Sequence, residues 1–438
     1  MNALLTDLYE LTMAAGYFEA GKTGEMATFE LGIRRLPANR NFVLAAGLPQ
    51  VADYLLNLSF TADEIGYLRS LAQFRSAPPA FFDYLRQFRF TGDLFAVPEG
   101  TPLFAREPVL LVRAPIIEAQ IAETYLLAAI AFPTLIASKA ARCAAAASGR
   151  PVAEFGTRRA HTPEAGVLGA RAAYIGGCAS TSNTLAGYRF GIPVSGTAAH
   201  SWVMSFASET EAFRRLQRTL GELAVQLLDT YDTLEGARHA AEVGMPLWGV
   251  RLDSGDFEEL AHEVRAILDA AGLNAAKIMV SGDLDEYRIR ELVRGGAPID
   301  AFGVGTQLAT SADAPHLGAV YKLVELDVGG IHRFTAKYSA DKHTLPGAKQ
   351  VFRGETGDVL ARSGECGPGD ALLRPVILGG QLVEPLPGAD RARARAAAAL
   401  AMLPEGLRQL EVGEPWPVAE SRELRELAQR TRRNLLGR

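Results

Sequence analysis

Five short polar stretches carry the residue types that chemistry needs, and each follows an apolar run of strand length. In Glu154-Phe155-Gly156-Thr157-Arg158-Arg159, two guanidiniums follow a glycine turn. Forked arginines bind a carboxylate or phosphate through paired hydrogen bonds, and the phenyl ring beside them offers a face for a flat heterocycle. A surface ion pair for each arginine is the competing explanation. Gly196-Thr197-Ala198-Ala199-His200 sets an imidazole past a Gly-Thr turn, where it could serve as base, nucleophile or core hydrogen-bonder. Arg251-Leu252-Asp253-Ser254-Gly255-Asp256 brackets a tight turn with two carboxylates. Such a pair suits sugar hydroxyls or magnesium, while capping of the next helix by Ser254 or Asp256 explains one of the residues but not all. Gly282-Asp283 forms a similar turn two residues before Asp285, itself placed to cap a helix. Gly303-Val304-Gly305-Thr306 exposes backbone N–H groups to an anion, a common way to hold phosphate late in a barrel. It lacks the lysine of a Walker A loop and is not a P-loop.

Further along, Lys337, Lys342, Lys349 and Arg353 crowd a Gly/Pro-containing stretch of a chain that is acidic overall. They could neutralise a pyrophosphate or a nucleoside triphosphate; a solvated loop is the plainer account.

These residues need a frame that brings loop ends together. Between residues 117 and 330 short apolar strands alternate with helices. The strands are expected at 151–155, 191–194, 247–252, 277–280 and 300–304, and the helices at 165–174, 210–231, 257–271 and 285–294. Alternation of this kind argues for parallel strands with crossover helices, hence an α/β class, and the number of units suits a closed, TIM-like barrel better than an open sheet. Residues 1–116 mix helix and strand: helices are expected at 4–20, 48–58 and 62–73, the last capped by Thr61, and strands at 27–33, 94–97 and 109–112. Residues 331–438 return to strands and turns and end in helices at 389–403 and 422–435, the second striped by Leu424, Leu427 and Leu435.

Totals restrict the function classes. The 438 residues suggest two or three domains, and 48% hydrophobic with 22% charged residues is ordinary globular composition. A net charge of −5, from 45 basic and 50 acidic residues, argues against a nucleic-acid or membrane-surface protein. Cys143, Cys178 and Cys366 are odd in number and widely spaced, which speaks against a disulfide framework or a cysteine zinc site. Asp7 and Glu10 stand where a signal peptide would need apolar residues, so a cytoplasmic location is expected. The run from Tyr125 to Ala137, interrupted by Pro133, reads as a core helix too short to span a bilayer.

The polar stretches, taken in order, resemble the nicotinate phosphoribosyltransferase family. The matching segments are Leu5-Thr-Asp-Leu-Tyr-Glu-Leu-Thr-Met13, Glu154-Phe-Gly-Thr-Arg-Arg-Ala160, Thr181-Ser-Asn-Thr-Leu-Ala-Gly187, Gly196-Thr-Ala-Ala-His-Ser201, Leu228-Asp-Thr-Tyr-Asp-Thr233, Val250-Arg-Leu-Asp-Ser-Gly-Asp256, Phe302-Gly-Val-Gly-Thr306 and Tyr321-Lys-Leu-Val324. The resemblance implies a type II phosphoribosyltransferase: an irregular α/β barrel joined to an α/β sandwich domain built from both chain ends. It implies a homodimer in which Asp7 and Tyr9 are donated to the neighbouring subunit's site. By the same resemblance Phe155 and Tyr9 sandwich the pyridine ring, and Arg158 faces the nicotinate carboxylate. Arg251 and Asp253 hold base and ribose, Gly282 and Asp283 contact ribose, Gly303, Gly305 and Thr306 cradle the 5′-phosphate, and Lys337 binds phosphate. His200 matches a histidine phosphorylated from ATP, with Asp229 as its carboxylate partner, so that ATP hydrolysis, with magnesium, drives the synthesis. Nicotinamide-specific relatives carry an aspartate near Ser182 or Asn183; no acid stands there, which favours the acid substrate. The alternatives are a nicotinamide or quinolinate phosphoribosyltransferase, or a non-catalytic barrel that binds phosphorylated ligands.

Overall fold

The computed structural model describes residues 3–339 and 342–437. It divides into two compact units: Met1–Thr134 with His316–Pro387 and Ala398–Arg438, and Leu135–Pro315 with Gly388–Ala397. The breaks expected after residues 116 and 330 are displaced for a physical reason. The strand Gly318–Val328 pairs along the whole of Met26–Arg35, which ties the segment after Pro315 to the first unit.

The first unit is thus built from both ends of the chain. Its larger sheet has seven strands in the order Ile331–Phe334, Gly318–Val328, Met26–Arg35, Pro108–Pro115, Asp93–Ala96, Arg374–Leu378 and Gln381–Leu382. Its paired neighbours are antiparallel. A four-stranded sheet follows the order Asp370–Ala371, Lys349–Arg353, Asp358–Arg362 and Val418–Glu420. The helix Arg422–Leu436 buries Leu424, Leu427 and Thr431, whereas Leu435, in its last turn, stays exposed. Thr61 caps Ala62–Ser70 through a reciprocal box with Glu64. The helix Pro79–Gln87, unforeseen from the sequence, starts at a proline, where the missing N–H costs nothing.

The apolar run around Pro133 belongs to one helix, Glu123–Ala146, longer than expected. By length and composition it could cross a membrane, yet 61% of its most apolar window is buried within the protein. Pro133 cannot bond the carbonyl of Ala129, and Gly47 packs against that oxygen. A Cβ on Gly47 would lie 1.9 Å from it, so only glycine fits.

The second unit holds a parallel sheet of six strands in the order Ser180–Thr181, Val152–Glu154, Ala301–Val304, Lys277–Ser281, Gly249–Leu252 and Val225–Leu227. The α/β class stands. Among the described residues the ladder is an arc with two edges rather than a closed hydrogen-bonded ring. The stretch expected as a strand at 191–194 contributes a single parallel bridge, Thr181 to Val194. The helix expected over 210–231 stops at Leu220, because Gly221 adopts φ +57°. The apolar residues after it form the edge strand Val225–Leu227. Asp256 and Asp285 cap their helices as expected.

Candidate active site

Parallel strands end on the same side, so the residues that follow them share one rim. In the second unit that rim gathers Phe155, Asp229, Asp253, Gly282 and Gly305, each one or two places past its strand.

Arg251 and Asp253 are its best-connected pair. Arg251 is 9% exposed. Its Nη1 donates to the Thr197 hydroxyl and, at 3.3 Å, to the Ala198 carbonyl, and its Nη2 lies 3.2 Å from Asp253 Oδ1. The same Asp253 oxygen accepts from the Ser281 hydroxyl. Burial alone would push the Asp253 carboxyl up, but the Ser281 hydroxyl, the Arg251 guanidinium and the facing His200 together hold it below the ordinary aspartate value. The carboxylate is thereby favoured as an acceptor.

His200 opens the helix His200–Met204. Its Nε2 is 3.7 Å from Asp253 Oδ2 and its Nδ1 is 3.3 Å from Thr230 Oγ1. The carboxylate beside the imidazole is therefore that of Asp253, where the sequence pointed to Asp229. Asp229 turns instead to the neighbouring strand end: its Oδ2 accepts from the Ser254 hydroxyl at 2.5 Å and the Asp253 N–H at 3.3 Å. Its Oδ1 is buried without a protein partner, an acceptor left over for a ligand hydroxyl.

Phe155 leaves its strand over Gly303. A Cβ on Gly303 would lie 2.6 Å from two ring carbons, so the glycine is the seat of the ring. The ring packs on the cluster of Ala153, Met279 and Ala301 and keeps part of its surface exposed. The loop after it is tied down by Glu154, whose buried carboxylate accepts from the Gly156 N–H and, at 2.6 Å, from the Thr181 hydroxyl. Burial raises the Glu154 pKa against the pull of those two donors. Arg158 and Arg159 are exposed on the single turn Thr157–Arg159, with no ion-pair partner among the described residues. The Asn183 amide bonds at both ends: Oδ1 accepts from Ala186 N–H at 2.8 Å and Nδ2 donates to Thr157 at 2.9 Å. It positions the arginine turn, while Ser182 is exposed.

Gly282 has φ +97°, and a Cβ there would meet the Asp253 carbonyl oxygen at 2.1 Å. That close approach brings the 253 and 282 turns together. Asp283 follows with φ +46° and is exposed. Gly305 precedes the single turn Thr306–Ala309, with Thr306 exposed.

Asp7, Tyr9 and Lys337 lie in the first unit. Tyr9 is 45% exposed on the helix Leu8–Glu19 beside Leu5, Leu8 and Met13, all exposed. Asp7 precedes that helix, its N–H bound to Thr124. Of the four cations grouped by sequence, two are structural. Lys349 is buried against Glu30 at 3.0 Å and two carbonyls, and Arg353 grips Asp358 at 2.8 Å. Lys337 and Lys342 remain exposed; Ala340 and Asp341 lie outside the described residues. Lys342 instead lines a cavity of about 390 Å³ with Arg34 and Arg35. That cationic pair was not singled out from the sequence; two adjacent arginines closing a strand were the available signal. Among the described residues no group of three His, Cys, Asp or Glu side chains could hold a metal ion.

Comparison with known proteins agrees with this layout. Residues 4–131 match the family model of the nicotinate phosphoribosyltransferase (NAPRTase) N-terminal domain, and residues 151–344 match that of the NAPRTase family. The chain is similar to a nicotinate phosphoribosyltransferase of Mycobacterium tuberculosis, 45% identical over 96% of this chain and 92% of that protein. It is also similar to the nicotinate phosphoribosyltransferase of Bacillus subtilis, 44% identical over 80% of this chain and 73% of that one. The crystal structure of human nicotinic acid phosphoribosyltransferase superposes with a TM-score of 0.84 at 30% identity, covering 99% of this chain and 100% of that one.

Proposed function

The chain belongs to the nicotinate phosphoribosyltransferase family, and from that premise we propose the reaction it carries out and the residues that perform it. It is an enzyme of NAD salvage that joins nicotinate to the ribosyl phosphate of phosphoribosyl pyrophosphate, releasing nicotinate mononucleotide and pyrophosphate. The observation that carries the assignment of residues is the rim on which Phe155, Arg251, Asp253 and His200 converge.

The pyridine nitrogen supplies the electron pair for the new C1–N bond while the C1–O bond to pyrophosphate breaks. No net proton transfer is required. Catalysis therefore rests on positioning and on stabilising separated charge. Phe155 supplies a face for the ring and Arg158 a fork for its carboxylate. The ionised Asp253 suits ribose hydroxyls and the positive charge that builds at C1; the free Asp229 oxygen is a second hydroxyl acceptor. Gly282 and Asp283 border the ribose, and Gly303, Gly305 and Thr306 offer backbone N–H groups to the 5′-phosphate. Lys337 is a further phosphate contact. Magnesium, the proposed metal, would supply charge neutralisation to the leaving pyrophosphate.

ATP is the proposed co-substrate. His200 sets its Nδ1 3.3 Å from the Thr230 hydroxyl and its Nε2 3.7 Å from the Asp253 carboxylate, and as a neutral imidazole it keeps one unprotonated ring nitrogen. That nitrogen attacks the γ-phosphorus, the bond to the bridging oxygen breaks, and ADP leaves a phosphohistidine. The exposed apolar edge of Leu5, Leu8, Tyr9 and Met13 supports a homodimer in which Asp7 and Tyr9 reach the partner's site. Three cysteines outside any disulfide support residence in the reducing cytoplasm.

The test is pyrophosphate release from phosphoribosyl pyrophosphate and magnesium, with nicotinate, nicotinamide or quinolinate offered separately, each with and without ATP. Release with nicotinate alone, raised by ATP with matching ADP, is the expected result. Release with another base would move the chain to a sister activity.

A further inference from the structure

The two sheets of the first unit leave a cavity of about 500 Å³ that the reaction does not use. Its wall is set by strand register. Thr28 pairs with Arg113 on one side and with Glu325 on the other, and Glu325 pairs with Phe334. Directly paired residues share a face of a sheet, so these side chains face one way. Leu111 lies two residues before Arg113 on its strand and pairs with Phe95, which puts Phe95 on that face as well. Arg362 and Ser363, at the end of a strand of the smaller sheet, close the cavity.

The charges in this cavity are not used up within the protein. Arg113 has no ion-pair partner among the described residues. Asp93, directly across from it, turns its carboxylate to the Gly379 N–H at 2.8 Å. Arg362 reaches Glu423 only at 3.8 Å and lies 5.6 Å over the Phe334 ring. The one carboxylate on the wall, Glu325, is occupied on both oxygens, by the Thr28 hydroxyl at 3.0 Å and the Ala348 N–H at 3.1 Å. Two forked cations, two hydroxyls, two phenyl rings and the His332 imidazole, itself 3.6 Å from Asp327, thus line one space of the size that small-molecule sites have, about 300–1,000 Å³.

We propose that this cavity binds a phosphorylated, ring-bearing small molecule of mononucleotide size, its phosphate between Arg113 and Arg362 and its ring against Phe95 and Phe334. Forked guanidiniums match phosphate oxygens bidentately, and the phenyl rings match a flat base. The site lies wholly within the first unit and does not depend on the reading of the second.

The test titrates full-length protein calorimetrically with adenosine 5′-monophosphate, adenosine and inorganic phosphate as probes. Arg113→Gln and Arg362→Gln are each expected to weaken the monophosphate by about tenfold or more, while Arg158→Ala leaves it unchanged. Adenosine and phosphate alone are expected to bind far more weakly than the joined molecule. Loss of binding in Arg158→Ala with no loss in the other two, or adenosine binding as tightly as its monophosphate, overturns the proposal. Should either variant misfold, phenylglyoxal labelling of the wild-type protein replaces it. The monophosphate should slow modification of Arg113 and Arg362, read by peptide mass spectrometry, and the absence of protection is equally decisive against the site.

Discussion

Gly303→Ala tests whether the ring of Phe155 is seated as described. The added methyl would lie 2.6 Å from Cδ2 and Cε2 of the ring and 3.1 Å from Ser281 Cβ. Carbon pairs rest near 3.5–4.0 Å, so the ring must retreat by about 1 Å. It cannot sink inward, because Ala153, Met279 and Ala301 already fill that side together with Trp248. Overpacking of this kind costs about 1–3 kcal/mol, a loss of several degrees in Tm for a unit of this size. A ring displaced by about 1 Å no longer orients the pyridine, and misplacement on that scale costs up to about 100-fold in rate. The assay is thermal unfolding together with steady-state kinetics for each substrate. The KM for nicotinate should rise and kcat fall, with the KM for phosphoribosyl pyrophosphate little changed. Phe155→Leu in the same chain should restore the lost stability, because the smaller side chain vacates the contact, but not the affinity for nicotinate. A single variant with unchanged Tm and unchanged nicotinate KM, or a double variant no more stable than the single one, would refute the seat.

Four further outcomes are expected. His200→Ala should abolish ATP stimulation and ADP formation while leaving slow ATP-independent transfer; equal stimulation in the variant would reject the phosphohistidine. Arg158→Ala should raise the KM for nicotinate about tenfold or more without a matching rise for phosphoribosyl pyrophosphate; a parallel rise would mean that the carboxylate is read elsewhere. Glu286→Ala should cost about 3–5 kcal/mol in urea unfolding, because it removes the carboxylate that buried Lys139 and Arg142 share and leaves them Asp313 at 2.9 Å and the Tyr287 hydroxyl at 2.8 Å; a loss below about 1 kcal/mol would show the network to be idle. Glu10 titrates near 7 because burial outweighs its bonds from Thr124 and Thr6. The folded chain then holds that proton longer than the unfolded one, so stability falls as pH rises through the window from the ordinary glutamate value to about 7, by about 3 kcal/mol at most. Glu10→Gln should flatten that slope and exceed the wild type in Tm at pH 8, and an unaltered slope would remove Glu10 as its cause.

Local rules carried most of the second unit. Four of its strands are short apolar runs bounded by glycine, proline or charge, and Asp256 and Asp285 announce their helices by a side-chain bond two or three residues long. The exceptions are places where distant pairing decides. Val225–Leu227 follows a strongly amphipathic helix and is too short to stand out from it; pairing with Gly249–Leu252 makes it a strand. Residues 191–194 look like a strand by composition but find only one bridge. In the first unit, pairing between Met26–Arg35 and Gly318–Val328, nearly three hundred residues apart, moved the unit boundary, and nothing local to either strand encodes that partner.

The candidate site divides along the same line. That Phe155, Asp253 and Gly305 would share a rim followed from parallel strands, because every strand end points to one side. Which carboxylate faces His200 did not follow, since Asp229 and Asp253 leave adjacent strands and either could turn toward the imidazole. The choice is made by Ser254 and the Asp253 N–H, which draw Asp229 Oδ2 to the next turn, and by Arg251 and Ser281, which fix Asp253 with its second oxygen toward the ring. The same logic sorted the cations between Lys337 and Arg353. Nothing local to them separates the four, yet Lys349 meets Glu30 and Arg353 meets Asp358 inside the fold, so these ion pairs remove two of the four from contact with a ligand. A motif identifies the groups that can do chemistry; the long-range partners of each group decide which of them are free to do it.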